Sequence, residues 1–198
     1  MEKETVLVGL SGGVDSAATA VILKEQGYHV IGATMLIWDP SLPVPKDGHQ
    51  KNACLAPEKE DLSEIQSIVK KLNIDFLTVD CREQYKHTVL DNFRLEYSCG
   101  RTPNPCVLCN SLIKFGVLPS AAAQQGIKFD KFATGHYARV ERDEKTGKYL
   151  LKKAVDLSRD QSYFLHRLKQ EQLAHVLFPL GEKTKPQMRE KARQAGLV

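Results

Sequence analysis

The apolar and polar positions of this chain follow two alternating periods, which indicates strands followed by helices. Short, largely β-branched apolar runs at about residues 5–10, 29–37 and 76–80 predict strands, and the run at 29–37 is typical of a buried one. Helices are predicted over about 14–26, an Ala-rich apolar segment, over 61–72 and 83–97, where apolar residues recur at helical spacing, and over 110–125. A further strand is predicted over 132–140, with its end at Gly135 and His136. This alternation predicts an α/β fold with a doubly wound parallel sheet, in which ligands bind at the carboxyl ends of the strands.

The pattern changes near residue 140. The stretch 141–153 is charged and contains Lys145-Thr-Gly-Lys148, which is typical of a hairpin turn, and helical spacing follows over 161–168, 170–177 and 184–195. We therefore divide the chain into a catalytic α/β domain, 1–140, and a hairpin and small helical segment, 141–198. The proline-rich stretch 38–57 is expected to form a surface loop, and the stretch 99–105 is expected not to be helical.

Composition limits the class of protein. With 198 residues, 42% of them hydrophobic, the chain can bury a full core, and its formal net charge of +4 permits a nucleic-acid partner without requiring one. The first residues lack the basic and apolar regions of a signal peptide, and no stretch approaches the ~20 apolar residues of a membrane span. We expect a cytoplasmic protein that does not contact a membrane, in which some of the five cysteines serve metal, redox or nucleophilic roles.

The stretch Gly9-Leu-Ser-Gly-Gly-Val-Asp-Ser16, between the first strand and the first helix, has the composition of a phosphate-binding loop. Gly12 and Gly13 let the backbone approach a ligand, and the first N–H groups of the helix point at an anion. Unlike a Walker A loop, the stretch has no lysine. It resembles the signature of the PP-loop ATP pyrophosphatases, which hold the pyrophosphate that leaves ATP; the simpler interpretation is an ordinary strand–helix turn.

Several further stretches extend this resemblance along the chain. They are Gly100-Arg-Thr-Pro-Asn-Pro-Cys-Val-Leu-Cys-Asn110, Ala133-Thr-Gly-His-Tyr-Ala-Arg139, Ser158-Arg-Asp-Gln-Ser-Tyr-Phe-Leu165 and Phe178-Pro-Leu-Gly181, followed by Thr184-Lys185. Together with the phosphate loop they resemble the tRNA-specific 2-thiouridylases, the MnmA/TrmU family, over essentially the whole chain. That family adenylates the C2 oxygen of the wobble uridine of tRNA and replaces it with sulfur from a cysteine persulfide. The resemblance implies ATP, Mg²⁺, tRNA, and a sulfur-carrier protein or cysteine desulfurase relay.

The resemblance also implies roles for individual residues. ATP would be bound by Gly9, Leu10, Ser11, Gly12, Gly13, Val14, Asp15, Ser16, Met35 and Gly135. The target base would be met by Asn104, Pro105 and Cys106, and the rest of the tRNA by Arg159, Asp160 and Gln161. Cys109 matches the nucleophilic cysteine, with Cys106 and Asp15 as further catalytic residues. Met35 has an equally good interpretation as a core residue, whereas for His136 we favour proximity to the site.

The chain departs from the commonest family pattern at Cys106, where the family has Asp. The resulting C-x-x-C pair, Cys106 and Cys109, is open to three interpretations, which we rank as an iron–sulfur cluster, half of a zinc site and a disulfide. Cys109 lies near a helix start, which favours a reactive thiolate, although a buried structural cysteine is the alternative. Further ligands would have to come from Cys54, Cys81 or Cys99, for which a structural role is the simpler expectation.

Two other functions stay open at the level of sequence. One is another PP-loop adenylating ligase or amidotransferase subunit, which would have no use for Cys109; the other is a non-catalytic adenine-nucleotide-binding module. In the resembled family a second cysteine of the sulfur relay lies downstream of the segment matched by 184–198. We therefore expect the chain to be the catalytic part of a longer enzyme.

Overall fold

The computed structural model describes residues 3–37 and 58–197. The predicted loop at 38–57, including Cys54, lies outside the described residues. The strands are β1 (Thr5–Gly9), β2 (His29–Leu36), β3 (Asp75–Asp80), β4 (Lys131–Ala133), β5 (Ala138–Arg142), β6 (Tyr149–Lys153) and β7 (Val176–Leu177). The helices are α1 (Val14–Glu25), α2 (Glu58–Leu72), α3 (82–98), α4 (Pro105–Gln124), α5 (Gln170–His175) and α6 (Lys185–Gln194). Short 3-10 helices span Leu157–Arg159 and Ser162–Leu165.

Five strands form one parallel sheet in the order β3-β2-β1-β4-β7. The middle strand, β1, pairs with β2 on one side and with β4 on the other, so Leu7 lies beside both Ile31 and Phe132. The predicted doubly wound parallel sheet is thereby confirmed. Because successive side chains of a strand point to opposite faces, Leu7 is buried in one core layer, whereas Val6 and Val8 are buried in the other.

Helices cover both faces of this sheet. On one face, α4 buries Ile113, Phe115 and Leu118 against the layer that contains Leu7, and on the other, α1 and α2 pack against Val6 and Val8. Of the described residues, only α4 is long and apolar enough to cross a membrane by length and composition. A core helix of a sheet protein passes the same test, and the burial of these three side chains identifies α4 as such a helix.

The helix expected over 161–168 is wrong, because only the 3-10 helix Ser162–Leu165 forms there. Three further elements differ from those expected from sequence. The predicted strand over 132–140 breaks after Ala133, and the chain resumes as β5 in a separate antiparallel pair with β6, around the expected hairpin turn. The break has a steric cause, described below at Gly135. Helix α4 begins at Pro105 rather than near residue 110, because Asn104 caps its start and proline already has a helical φ at the first position.

The third difference is a strand where a helix was expected. Val176 and Leu177 end the predicted helix 170–177, but they form β7, which pairs in parallel with β4 at Phe132 and Ala133. A buried, β-branched residue beside an open strand gains more from pairing than from one further helical turn. The sheet therefore takes its fifth strand from beyond residue 140. Helix α6 then packs on α1 through Met188 and Ile22, with the expected cap residues Thr184 and Gly196, the latter at φ +68°.

Candidate active site

The phosphate loop lies at the carboxyl end of the middle strand. β1 ends at Gly9, the chain turns through Leu10–Gly13, and α1 begins at Val14. Gly12 has a φ of +78°, in the left-handed region that a residue with a side chain rarely adopts. The turn therefore requires a glycine at this position, as the sequence predicts for a phosphate-binding loop.

Two serines hold this loop in shape. The backbone N–H of Ser11 donates to the Ser16 hydroxyl at 3.2 Å, and the Ser16 hydroxyl donates to the carbonyl of Gly13 at 2.9 Å. Ser16 is buried, at 4% exposure, which keeps these bonds from exchanging with water. The Ser16 hydroxyl thus bridges both sides of the turn and fixes its width.

Gly135 brings the end of β4 against the phosphate loop. A Cβ atom built on Gly135 would lie 2.9 Å from the backbone carbon of Asp15 and 2.9 Å from the backbone nitrogen of Ser16. Contacts this short are sterically forbidden, so only glycine lets the two segments meet. This close approach is also why the chain leaves the sheet after Ala133. The two predicted nucleotide-binding stretches, 120 residues apart in sequence, are therefore in direct contact.

Asp15, in the first turn of α1, is held by two side chains from distant parts of the sequence. The Lys185 ammonium lies 2.6 Å from each carboxylate oxygen, and the Tyr137 hydroxyl donates to Oδ1 at 3.0 Å. Burial, followed by the negative charge of Asp15, raises the pKa of Tyr137 and keeps its hydroxyl a donor. The carboxylate is therefore neutralised and oriented before any ligand arrives.

A cavity of about 290 Å³ opens beside the loop, close to the lower end of the usual range for small-molecule sites. Its walls come from the ends of β1, β2 and β4 and from helices α1, α2 and α4. Residues of interest in its lining are Gly9, Leu10, Ser11, Asp15, Ser16, Met35, Cys109, Lys114, Thr134, Gly135, His136 and Gln161. Met35 also packs against the core, so both interpretations of that residue are compatible with its position.

Only one cysteine of the C-x-x-C pair, Cys109, lines the cavity. Cys109 is half-buried in the lining, whereas Cys106 is exposed in the first turn of α4. The Asn104 side chain accepts a hydrogen bond from the N–H of Val107 at 3.3 Å, which fixes the start of this helix. Cys81 is buried in the core layer that contains Leu7. Its burial, followed by the charges of Asp80 and Cys109, raises its pKa to about 11. Cys109 is thus the thiol that the described structure presents to the cavity.

A metal site at these cysteines finds little support. Among residues 3–37 and 58–197, no group of three or more His, Cys, Asp and Glu side chains gathers around a common point. Cys81, Cys99, Cys106 and Cys109 are all thiols rather than disulfides. A cluster or zinc ion on Cys106 and Cys109 therefore stays a prediction.

His136 and Lys114 both line the cavity. The ring of His136 is bonded through Nδ1 to the Thr134 hydroxyl at 2.8 Å and packs against Phe115 and Phe178, which also contact each other. Loss of solvent, followed by the positive charge of Lys114, lowers the pKa of His136 well below its usual value. The imidazole is therefore neutral at physiological pH, and its expected proximity to the site is observed.

The three residues predicted to contact tRNA are placed differently. Arg159 is exposed at the end of a 3-10 turn, whereas Asp160 accepts bonds from the N–H of Ala154 and the hydroxyl of Ser162. Gln161 exchanges two hydrogen bonds with the backbone of Tyr137, at 2.8 and 3.0 Å, and lines the cavity. Asp160 and Gln161 thus have structural partners inside the protein, and Arg159 is the residue of the three that faces solvent.

Sequence reasoning missed Lys114 and Tyr137, and it gave Lys185 no role of its own. Lys114 carried a signal, because it is a charge between the buried residues Ile113 and Phe115 in an otherwise apolar helix. Tyr137 and Lys185 carried none, since they meet Asp15 across separations of 122 and 170 residues.

Comparison with known proteins places these features in context. The model of a family described as the tRNA methyl transferase HUP domain matches residues 4–198. The tRNA-specific 2-thiouridylase MnmA of Endomicrobium trichonymphae is 52% identical over 198 residues, which is 100% of this chain and 55% of that protein. The corresponding protein of Heliobacterium modesticaldum is 46% identical over 99% of the chain and 49% of its own length. The chain thus spans about half the length of the curated relatives it matches.

Solved structures agree with the fold. A 4-thiouridine synthetase in complex with RNA and with bound ATP has a TM-score of 0.58 and 15% identity, over 98% of this chain and 41% of that one. A predicted subunit of a tRNA methyltransferase from Methanocaldococcus jannaschii has a TM-score of 0.52 and 16% identity, over 96% and 74% of the two chains. At these identities the likeness establishes the architecture alone.

Proposed function

Because the chain belongs to the tRNA methyl transferase HUP-domain family, we propose that it is the ATP-using catalytic part of a tRNA sulfurtransferase. The reaction would replace the C2 oxygen of the wobble uridine with sulfur. One observation carries the proposal: the phosphate loop and the Cys109 thiol line a single cavity. The names of the relatives favour sulfur transfer over the methyl transfer in the family's description, since these are 2-thiouridylases.

The residues of the loop suit ATP. Gly12 opens the turn, Gly135 lets the end of β4 approach it, and the N–H groups at the start of α1 provide anion donors. ATP would supply an adenylate group that activates the C2 oxygen, with pyrophosphate as the leaving group. The task of this chain is to hold the phosphates at the loop and to exclude water between the activated oxygen and Cys109.

Cys109 would receive its sulfur from a sulfur-carrier protein or cysteine desulfurase relay, as a persulfide on Sγ. The outer sulfur then attacks C2, AMP leaves, and a second thiol cleaves the sulfur–sulfur bond, so that Cys109 ends in a disulfide that a reductant must restore. Asn104, Pro105 and Cys106 would meet the target base. Their place at the start of α4, one turn before Cys109, suits that role.

In the proposed reaction, the metal ion is Mg²⁺ that ATP carries on its phosphates. Asp15 is the one carboxylate in the lining of the cavity, among the described residues, and both of its oxygens already contact Lys185. An iron–sulfur cluster on Cys106 and Cys109 would lack a third ligand within the described part of the chain.

The segment around Arg159 suits contact with tRNA in the cytoplasm. Arg159, Lys153, Arg167 and Lys169 are all exposed, and between them Tyr163 exposes 63% of its surface. Cations bind phosphates and an exposed aromatic ring can stack on an unpaired base. This combination of charge and ring is what single-stranded RNA, such as an anticodon loop, requires.

The experiment measures pyrophosphate release and 2-thiouridine separately. We expect tRNA-dependent pyrophosphate release from wild type and from Cys109→Ser, but 2-thiouridine, after addition of a persulfide donor and a thiol reductant, from wild type alone. Cys99→Ser, an exposed cysteine outside the cavity, is the matched control and should behave as wild type. Release that needs a small carboxylate instead of tRNA would favour an adenylating ligase, and ATP binding without release would favour a nucleotide-binding module; either result contradicts the proposal.

A further inference from the structure

Lys114 occupies an unusual position for a lysine. It lies on α4 between two residues of the core, Ile113 at 0% and Phe115 at 5% exposure, yet its own side chain is half-buried and reaches the lining of the cavity. A charged side chain enters such surroundings at a desolvation cost, which an oppositely charged partner normally offsets. The position of Lys114 therefore favours an anionic partner.

The described part of the chain supplies no such partner. Lys114 forms no hydrogen bond or ion pair with residues 3–37 or 58–197 that meets ordinary distance limits. The nearby imidazole of His136 is neutral, and the carboxylate of Asp15 is already paired with Lys185. The ammonium thus retains its capacity to bind an anion that comes from outside the protein.

The same ammonium is the one lysine or arginine group in the lining, as far as the structure describes it. The phosphate loop contributes N–H groups and hydroxyls to that lining, but no cation. A nucleotide with several phosphate charges would find its counter-charge here.

The shape of α4 explains how Lys114 reaches the cavity together with Cys109. The stretch Cys109–Val117 is a π-helix, with hydrogen bonds from each residue to the fifth along. In a regular α-helix, residues five apart point about 140° away from each other. The wider π turn brings them closer to one face, so that Cys109 and Lys114 both line the site.

We propose that Lys114 is a further nucleotide-binding residue, whose ammonium binds phosphate oxygens of ATP in the role that the lysine of a Walker A loop performs. The inference rests on the proposed function for the choice of ATP as the ligand. An ammonium is a compact charge with three donors, which suits phosphate oxygens. The lysine absent from the loop is thus supplied by a helix that begins about ninety residues later.

The test compares ATP and adenosine binding by calorimetry in wild type, Lys114→Met, Lys114→Arg and Lys128→Met. Lys128 is an exposed lysine outside the cavity and serves as the control. We expect Lys114→Met to weaken ATP binding by about 10- to 100-fold, the effect of one charged hydrogen bond, and Lys114→Arg to recover part of it. Adenosine binding and the Lys128→Met variant should match wild type, and the circular dichroism spectra should coincide.

Each other outcome has a definite meaning. Equal loss of ATP and adenosine binding in Lys114→Met would assign the lysine a packing role and overturn the inference. Unchanged ATP binding, with a slower alkylation of Cys109 at neutral pH, would make Lys114 the counter-ion of the thiolate and would also overturn it. Failure of wild type to bind ATP would instead remove the proposed function itself.

Discussion

Removal of the Lys185 ammonium tests how the phosphate loop is held. In Lys185→Met, the Asp15 carboxylate loses two contacts of 2.6 Å and keeps the hydrogen bond from Tyr137. A negative charge would then stand uncompensated at the start of α1, beside the site where phosphates are expected. We predict a loss of stability and, separately, a loss of ATP affinity of about tenfold, since one like charge now faces the ligand.

The size of the stability loss follows from the partial burial of the pair. The side chain of Lys185 is 19% exposed and that of Asp15 is 33% exposed. Fully exposed pairs contribute about 0–1 kcal/mol, whereas breaking a buried pair costs about 3–5 kcal/mol. A half-buried pair lies between these limits, so we expect a coupling energy of about 1–2 kcal/mol. For a chain of this length that corresponds to a fall in Tm of roughly 2–8 °C.

A double-mutant cycle measures this coupling without assigning it to either residue. The free energy of unfolding in urea is compared among wild type, Lys185→Met, Asp15→Asn and the double variant. Lys183→Met provides the control, because Lys183 is exposed and its described hydrogen bond comes from the backbone, so its effect should stay within about 0.5 kcal/mol. A coupling energy below about 0.3 kcal/mol would refute the reasoning that the pair holds the loop.

Three further results are expected. Gly135→Ala should destabilise the fold by about 1–3 kcal/mol and abolish ATP binding, because its Cβ meets the backbone of Asp15 and Ser16 at 2.9 Å. Gly116→Ala should be tolerated, because its Cβ would lie 3.6 Å from the nearest atom, the Ser111 carbonyl oxygen; equal tolerance of the two would contradict the close approach. The pKa of His136 is lowered from 6.5 by folding, so the unfolded chain binds the proton more readily and stability should fall as pH drops below 6.5, by at most about 1.4 kcal/mol per pH unit; His136→Gln should lose this part of the dependence, and an identical pH profile of the variant would argue against it. Arg159→Ala should weaken tRNA binding and lower the slope of log affinity against log salt by about one, and an unchanged slope would exclude a phosphate contact.

The fold was largely predictable because the local hydrophobic patterns favour the same strands and helices that the folded sheet contains. The runs that became β1, β2 and β3 are short, apolar and separated by predicted helices, and each was expected within one or two residues. The predictions were wrong where tertiary contacts determine the secondary structure. The pair Val176–Leu177 is a strand because β4 offers an open edge, and the chain turns away after Ala133 because Gly135 meets α1.

The candidate site likewise contains residues that the sequence predicts and residues that only the fold brings together. The turn at Gly12 could be predicted from the sequence, because only glycine easily adopts a positive φ. Cys109 was identified as a site residue from the sequence through the resemblance to a family. Lys185 and Tyr137 had no local signal, since a lysine in the first turn of a helix and a tyrosine between two strands are ordinary residues until the fold brings them to Asp15.

The order of the strands explains why these residues meet at all. From β1 the chain passes to β2 and β3 on one side of the sheet, and then to β4 on the other side of β1. The connections that follow β1 and β4 therefore leave the sheet in opposite directions, and a crevice opens between them at their carboxyl ends. Ser11 and Gly135 lie on the two sides of that crevice, and α4 adds Cys109 and Lys114. The topology thus predicts that an insertion between β4 and β5 would affect nucleotide binding, whereas one of equal length in the turn of the β5–β6 hairpin at Thr146 would leave it intact.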